Sequence, residues 1–229
     1  MEEAGEVQTP EVELPDDAPE GLRVGLPWER VDPGMSPGGL MQTLRLLLFS
    51  PGAAFQMMRI QGVMSAPIVF LVLLGTIGTF MGFMWQSWAR VMLGSMADTP
   101  FRDLALANSY GVMSFVVAPF FIMVMAAVAT GVHHLCMLVF GGAPRPADVT
   151  LRVVCYAWGA SYVWMFIPAC GGLIAAVWGA VLTISGLREV HGIPGGRAAA
   201  AVIVPYVVAG CCLMLIWVLL ATTMLASVA

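Results

Sequence analysis

Lysine is absent from this 229-residue chain, and all ten of its cations are arginines. Charge as a whole is scarce, at 10% of residues against about 25% in an ordinary soluble domain. Most of the chain therefore does not face water. Past residue 32 only four acids remain: Asp98, Asp103, Asp148 and Glu189. No basic patch exists to hold nucleic acid, so none is expected as a partner. The five cysteines (Cys136, Cys155, Cys170, Cys211, Cys212) are odd in number and match no zinc spacing. They read as free thiols in apolar surroundings rather than a disulfide framework. Catalytic signatures are missing too: no Gly-x-Ser-x-Gly elbow, no His-Glu-x-x-His, no phosphate-cradling loop and no pair of intramembrane carboxylates. Neither enzyme activity nor a cofactor is expected.

What is present is divided unevenly. Residues 1–32 hold ten acids and two arginines, a net charge of −8. The opening "MEEAGEVQTPEVELPDDAPEG" lacks the basic start and apolar core of a signal peptide. It offers too little apolar surface to offset the entropy of ordering. Residues 1–36 are expected to form a disordered acidic cytoplasmic tail.

Four windows carry no Asp, Glu, Lys or Arg: 60–89, 104–144, 153–187 and 198–229. A spanning helix needs about 20 apolar residues. The first, second and fourth windows each predict one crossing, at about 66–88, 111–140 and 198–226. The third would run about 52 Å as a single helix, well past a hydrocarbon core of about 30 Å. At its centre stands "IPACGG" (Ile167–Gly172), a proline followed by a glycine pair. That predicts a hairpin, 153–169 out and 172–187 back. The expected fold is all-α: a polytopic membrane bundle of five transmembrane helices, with short amphipathic helices before the first.

Arginine placement orients it. With the N-terminus inside, Arg23, Arg30, Arg45, Arg59, Arg145, Arg152, Arg188 and Arg197 fall on the inner side, and only Arg90 and Arg102 on the outer. Trp85 and Trp88 then lie at the outer interface, and the C-terminus is outside. Residues 37–61 are mixed in character. Ser50-Pro51 is a helix-start signature dividing two short helices. Leu40, Leu44, Leu47 and Leu48 share one face of the first. That face either lies in the membrane surface or packs across the ends of the spans.

Several stretches then stand in a familiar order: "LPWER" (Leu26–Arg30), Thr43, "SPGAAFQMM" (Ser50–Met58), "HHLCMLVFGG" (His133–Gly142), "TLRVVCYAW" (Thr150–Trp158), "IPACGG" and "GLREVHGIPGGRAAAAVIVP" (Gly186–Pro205). Together they resemble the bacterial branch of the Yip1-domain membrane proteins over about residues 26–226. The resemblance implies a Yip1-like transmembrane domain over 62–229, a cytoplasmic N-terminus, five spans and a non-enzymatic role in a bacterial inner membrane. Eukaryotic relatives work in the early secretory pathway, associate with Rab GTPases and with each other, and help shape membranes. The tail here has no nameable GTPase-binding pattern, and no catalytic residues carry over.

The residues calling most for explanation are His133 and His134. An inward-running second span puts them about 10–12 Å from its inner end. The fourth span also ends on that side, in "LREVHG". His133, His134, Arg188, Glu189, His191 and Arg197 are therefore expected to converge there as a polar cluster or partner site. Intramembrane ionisable groups call for a function, and three readings are open. A metal site would use His133 and Cys136, spaced i,i+3, with His191 or Glu189; those ligand types suit zinc. A proton or ion path would use the same imidazoles, although these spans hold no carboxylates. The third is a satisfied polar contact pinning helix to helix, which the absence of a second ligand pair favours. Adjacent residues differ by about 100° on a helix, so the two rings point to different neighbours. The turn bearing Glu189 is either a solvated, orienting turn or a docking or headgroup site. Gly78 with Gly82, and Ala175 with Gly179, permit close helix approach, within the bundle in preference to a dimer.

The functional expectation is association with the lipid bilayer, with itself or with another membrane protein. The alternative is a transporter or channel for a small solute or ion.

Overall fold

The computed structural model describes residues 23–30, 36–94 and 111–228. Every regular element among them is helical. Three short helices come first: α1 (Pro27–Arg30), α2 (Pro37–Phe49) and α3 (Pro51–Met57). α3 starts at Ser50-Pro51 as the sequence predicts, and α2 starts in the same way at Ser36-Pro37, each with proline in the first turn where its missing N–H costs nothing. Ser36 caps α2 by accepting from the Gly39 amide, whereas the Ser50 side chain makes no capping bond to α3.

The long helices follow: α4 (Ser65–Gly94), α5 (Gly111–Val139), α7 (Gly171–His191) and α8 (Gly195–Val228). Each contains a stretch long and apolar enough to cross a membrane: Ser65–Ala89, Val116–Val139, Gly171–His191 and Gly195–Leu220. Four of the five expected spans are thereby accounted for. The third is different. Where 153–169 was expected, the chain forms α6 (Ala147–Ser161) and then a 3₁₀ turn over Tyr162–Phe166. α6 has only 15 residues and includes Asp148 and Arg152, so it is neither long nor apolar enough by itself. Its surroundings explain how such a segment is tolerated. Eleven of its residues are buried, so α6 meets protein on nearly every side.

The hairpin at "IPACGG" is present. Ala169 takes up a left-handed conformation (φ 64°), and the Gly171 amide closes the turn on the Ile167 carbonyl at 3.1 Å. α6 and α7 then run antiparallel for their full length. Thr150 meets His191 at one end, Ser161 faces Gly179 midway, and Trp164 abuts Gly171 at the turn. Close approach depends on glycine at Gly186, where a Cβ would come within 2.5 Å of Val153 and 2.9 Å of Phe55.

Helix ends carry their own signals. After α5, the Gly142 amide bonds the Met137 carbonyl at 2.9 Å and the Gly141 amide bonds Leu138 at 3.2 Å. With Gly141 at φ 82°, this is the paired closure that satisfies the last carbonyls of a helix.

The core concentrates at the end of the bundle where α1–α3 sit, the capped end. Leu26, Leu47, Phe55 and Met58 are fully buried there with Val153, Tyr156 and Leu187. Each such side chain contributes about 1.5–3 kcal/mol when taken from water. Of the two placements open to the α2 leucines, packing across the span ends is the one adopted: Leu44 and Leu47 are buried, and Leu40 and Leu48 flank them. The expected tail, 1–36, is not uniform. Residues 23–30 fold against the bundle, because Leu26 and Trp28 bring enough apolar surface to hold the segment down; residues 1–22 and 31–35 lie outside the described residues. At the opposite end Trp85 and Trp88 stack edge to face, 6.5 Å apart. Arg102, Asp98 and Asp103 lie outside the described residues.

Candidate functional site

Two hydrogen-bonded networks occupy the capped end. The first answers the question posed by the paired histidines. His134 Nδ1 lies 3.0 Å from Thr150 Oγ1, and the same oxygen lies 3.0 Å from His191 Nε2. One hydroxyl on α6 thus bridges an imidazole on α5 and another on α7, whose rings are 6.3 Å apart. A hydroxyl has one hydrogen and two lone pairs, so it can bond both rings at once, the imidazole tautomers setting which group donates. His191 and Thr150 are buried; His134 is half-buried. His133, about 100° round the helix, turns the other way and stands 6.1 Å from the Tyr206 ring on α8.

The expected six-residue cluster is therefore divided by partner. Glu189 reaches α3, accepting from Gln56 Nε2 at 2.9 Å, while its pairing with Arg188 is loose, at 3.7 Å, and on an exposed arginine contributes little. Arg23 donates to the carbonyls of Phe55 (2.5 Å) and Glu189 (3.3 Å). Burial, with Arg145 nearby, pushes the Arg23 guanidinium down from its usual value while Glu189 pulls it up. Arg197 donates to the Gly141 carbonyl at 3.1 Å, tying the start of α8 to the end of α5. Cys136 is half-buried against the main core. Among the described residues no group of three or more His, Cys, Asp or Glu side chains is placed to hold a metal ion.

The second network centres on residues the sequence pattern did not single out. Glu29 Oε2 accepts from the amides of Leu26 (2.9 Å) and Arg59 (3.0 Å), and Oε1 accepts from the Tyr156 hydroxyl (3.1 Å). Trp28 is fixed at both ends: its amide donates to Thr43 Oγ1 at 2.9 Å and its indole N–H to the Ala66 carbonyl at 2.8 Å. Its ring stacks edge-on against Phe70, which in turn packs on Tyr156. Arg152, 2% exposed, forks onto the carbonyls of Gly62 and Val63. "LPWER" is thus a strap that locks α2, α4 and α6 together. Arg152 and Tyr156, one helical turn apart inside an otherwise apolar segment, were the available signal. Thr150 had none, since a lone hydroxyl near a helix start is commonplace.

Deeper in the bundle the hydroxyls of Thr130, Ser161 and Thr183 turn back on their own helices, to Ala126, Trp158 and Gly179, while Thr76 Oγ1 is buried without a partner among the described residues. The glycine stripe of α4 packs within the chain, Gly78 against Tyr162 and Gly82 against Met165.

Compared with known families, residues 45–218 match the model of the Yip1 domain. No curated protein and no solved structure matches the chain.

Proposed function

The chain belongs to the Yip1-domain family, and on that premise we propose that it is a non-enzymatic, multi-pass membrane protein that acts by association. Its partners would be lipids, a second copy or another membrane protein, in a membrane-organising role of trafficking type. One observation carries this reading. Among the described residues the polar side chains at the capped end bond largely to the protein itself: Thr150 to two imidazoles, Glu29 to Tyr156 and two amides, and Arg152, its Nε apart, to two carbonyls. A pore needs polar groups available at successive depths. Here the hydrogen-bonded networks gather at one end, and beyond them the Thr130, Ser161 and Thr183 hydroxyls are bonded to their own helices. In this account "HHLC" is a helix-pinning polar contact.

The same reading makes α6 with its 3₁₀ extension a fifth crossing. Fifteen α-helical and five 3₁₀ residues extend about 30 Å, close to the hydrocarbon thickness, and they lie alongside α7 throughout. An odd number of crossings puts the termini on opposite sides. The arginine bias supports an N-terminus in the cytoplasm and a C-terminus outside, and the membrane proposed is a bacterial inner membrane. The functional test is flux: full-length protein in liposomes is expected to pass protons, K⁺, Na⁺, Cl⁻ and small solutes no faster than empty vesicles. Saturable, protein-dependent flux would overturn the scaffold reading in favour of a transporter or channel.

A further inference from the structure

Beside the strap lies an open cavity of about 400 Å³, walled by Trp28, Glu29, Arg30, Arg59, Gly62 and Arg152. Among the described residues, three arginines thus line one space with a single carboxylate. That carboxylate is already committed, with both oxygens occupied by Tyr156 and the amides of Leu26 and Arg59. Among the described residues Arg30 donates only through its Nε, to the Gly25 carbonyl. The Arg59 side chain donates no hydrogen bond among the described residues, and Arg152 Nε is buried without an acceptor there. Arg152 is satisfied in part by two carbonyls, which solvate a cation without neutralising it. A buried guanidinium lacking a counter-charge is costly, and the rigid fork of arginine suits tetrahedral oxyanions.

The cavity's place adds to its charge. Its far wall, Gly62 to Ala66, leads into α4, whose apolar stretch begins at Ser65. A crossing that begins at Ser65 would set the opening at the depth where headgroups meet the hydrocarbon. The first amides of α4 contribute the positive end of a helix dipole beside it.

We propose that this cavity binds a phosphate-bearing anion, and that in the membrane the phosphate belongs to an anionic phospholipid headgroup. In naming lipid as the source it rests on the lipid-association reading above. Binding to the full-length protein in uncharged detergent is tested with three probes: phosphatidylglycerol, phosphatidylcholine and inorganic phosphate, by thermal shift and native mass spectrometry. Phosphatidylglycerol should bind saturably and at least tenfold tighter than phosphatidylcholine. The double variant R30Q/R59Q should lose that preference. Gln61→Glu, a near-isosteric change on an exposed wall residue, should weaken it by adding a negative charge, and serves where the double variant fails to fold. Competition by millimolar inorganic phosphate would assign the source to free phosphate, and its absence would assign it to the lipid. Equal binding of both lipids, or an unchanged preference in folded R30Q/R59Q and Gln61→Glu proteins, would overturn the site. Neither result touches the flux measurement, so the site and the scaffold reading fail separately.

Discussion

Replacing Thr150 by valine removes one hydroxyl while keeping the branched shape, and so isolates the bridge between His134 and His191. Two inter-helix hydrogen bonds are lost, each 3.0 Å long. Such bonds within membrane bundles contribute about 0.6 kcal/mol on average and up to about 1.7. Two of them give a cost of about 1–3 kcal/mol, weighted to the upper part because His191, 3% exposed, cannot find water instead. For a chain of this size that corresponds to a fall in Tm of roughly 2–4 °C per kcal/mol, followed in detergent by intrinsic fluorescence. A cycle with His191→Leu sharpens the test. If the hydroxyl and the ring stabilise through one another, the double variant should be less damaged than the two single losses combined, by about 1 kcal/mol. Additive losses, or a Thr150→Val protein within about 0.5 kcal/mol of the parent, would refute the bridge as a stabilising contact.

Glu29→Ala should release the strap, costing about 2–3 kcal/mol once the exposure of the Arg59 amide is allowed for, with faster tryptic cleavage after Arg23 and Arg30 as the readout. Gly186→Ala should lose about 1–3 kcal/mol by overpacking, since the new methyl would press on Val153 and Phe55; Gly210→Ala, in open surroundings, should melt like the parent. With the other four cysteines changed to alanine, Cys170 in the exposed turn should react with an impermeant maleimide from outside intact cells. An introduced Ser50→Cys, in a background with all five native cysteines changed to alanine, should react only after lysis; labelling of both from one side would remove α6 as a crossing.

Much of the architecture was legible because it depends on local, repetitive chemistry. Long charge-free windows become α4, α5, α7 and α8 wherever they fall in the chain, since a backbone in hydrocarbon must bond to itself. Ser50-Pro51 and "IPACGG" mark boundaries through constraints on one or two residues. The histidines were legible as a problem but only half as an answer. The 100° step between neighbours sends His134 and His191 to a shared partner and His133 elsewhere. Nothing in "HHLC" names Thr150, which is contributed by a different helix.

The sequence by itself determined that this is a helical membrane protein, where its four long apolar helices fall, and where the chain turns at "IPACGG". Those properties follow from composition and period, which each segment carries alone. Only the tertiary structure decided that α6 is sheathed by its neighbours, that "LPWER" folds down as a strap, and that Arg30, Arg59 and Arg152 share one cavity. Burial and charge pairing are properties of what surrounds a residue. Glu29 and Tyr156 stand 127 positions apart, and no local pattern encodes a bond made across that distance.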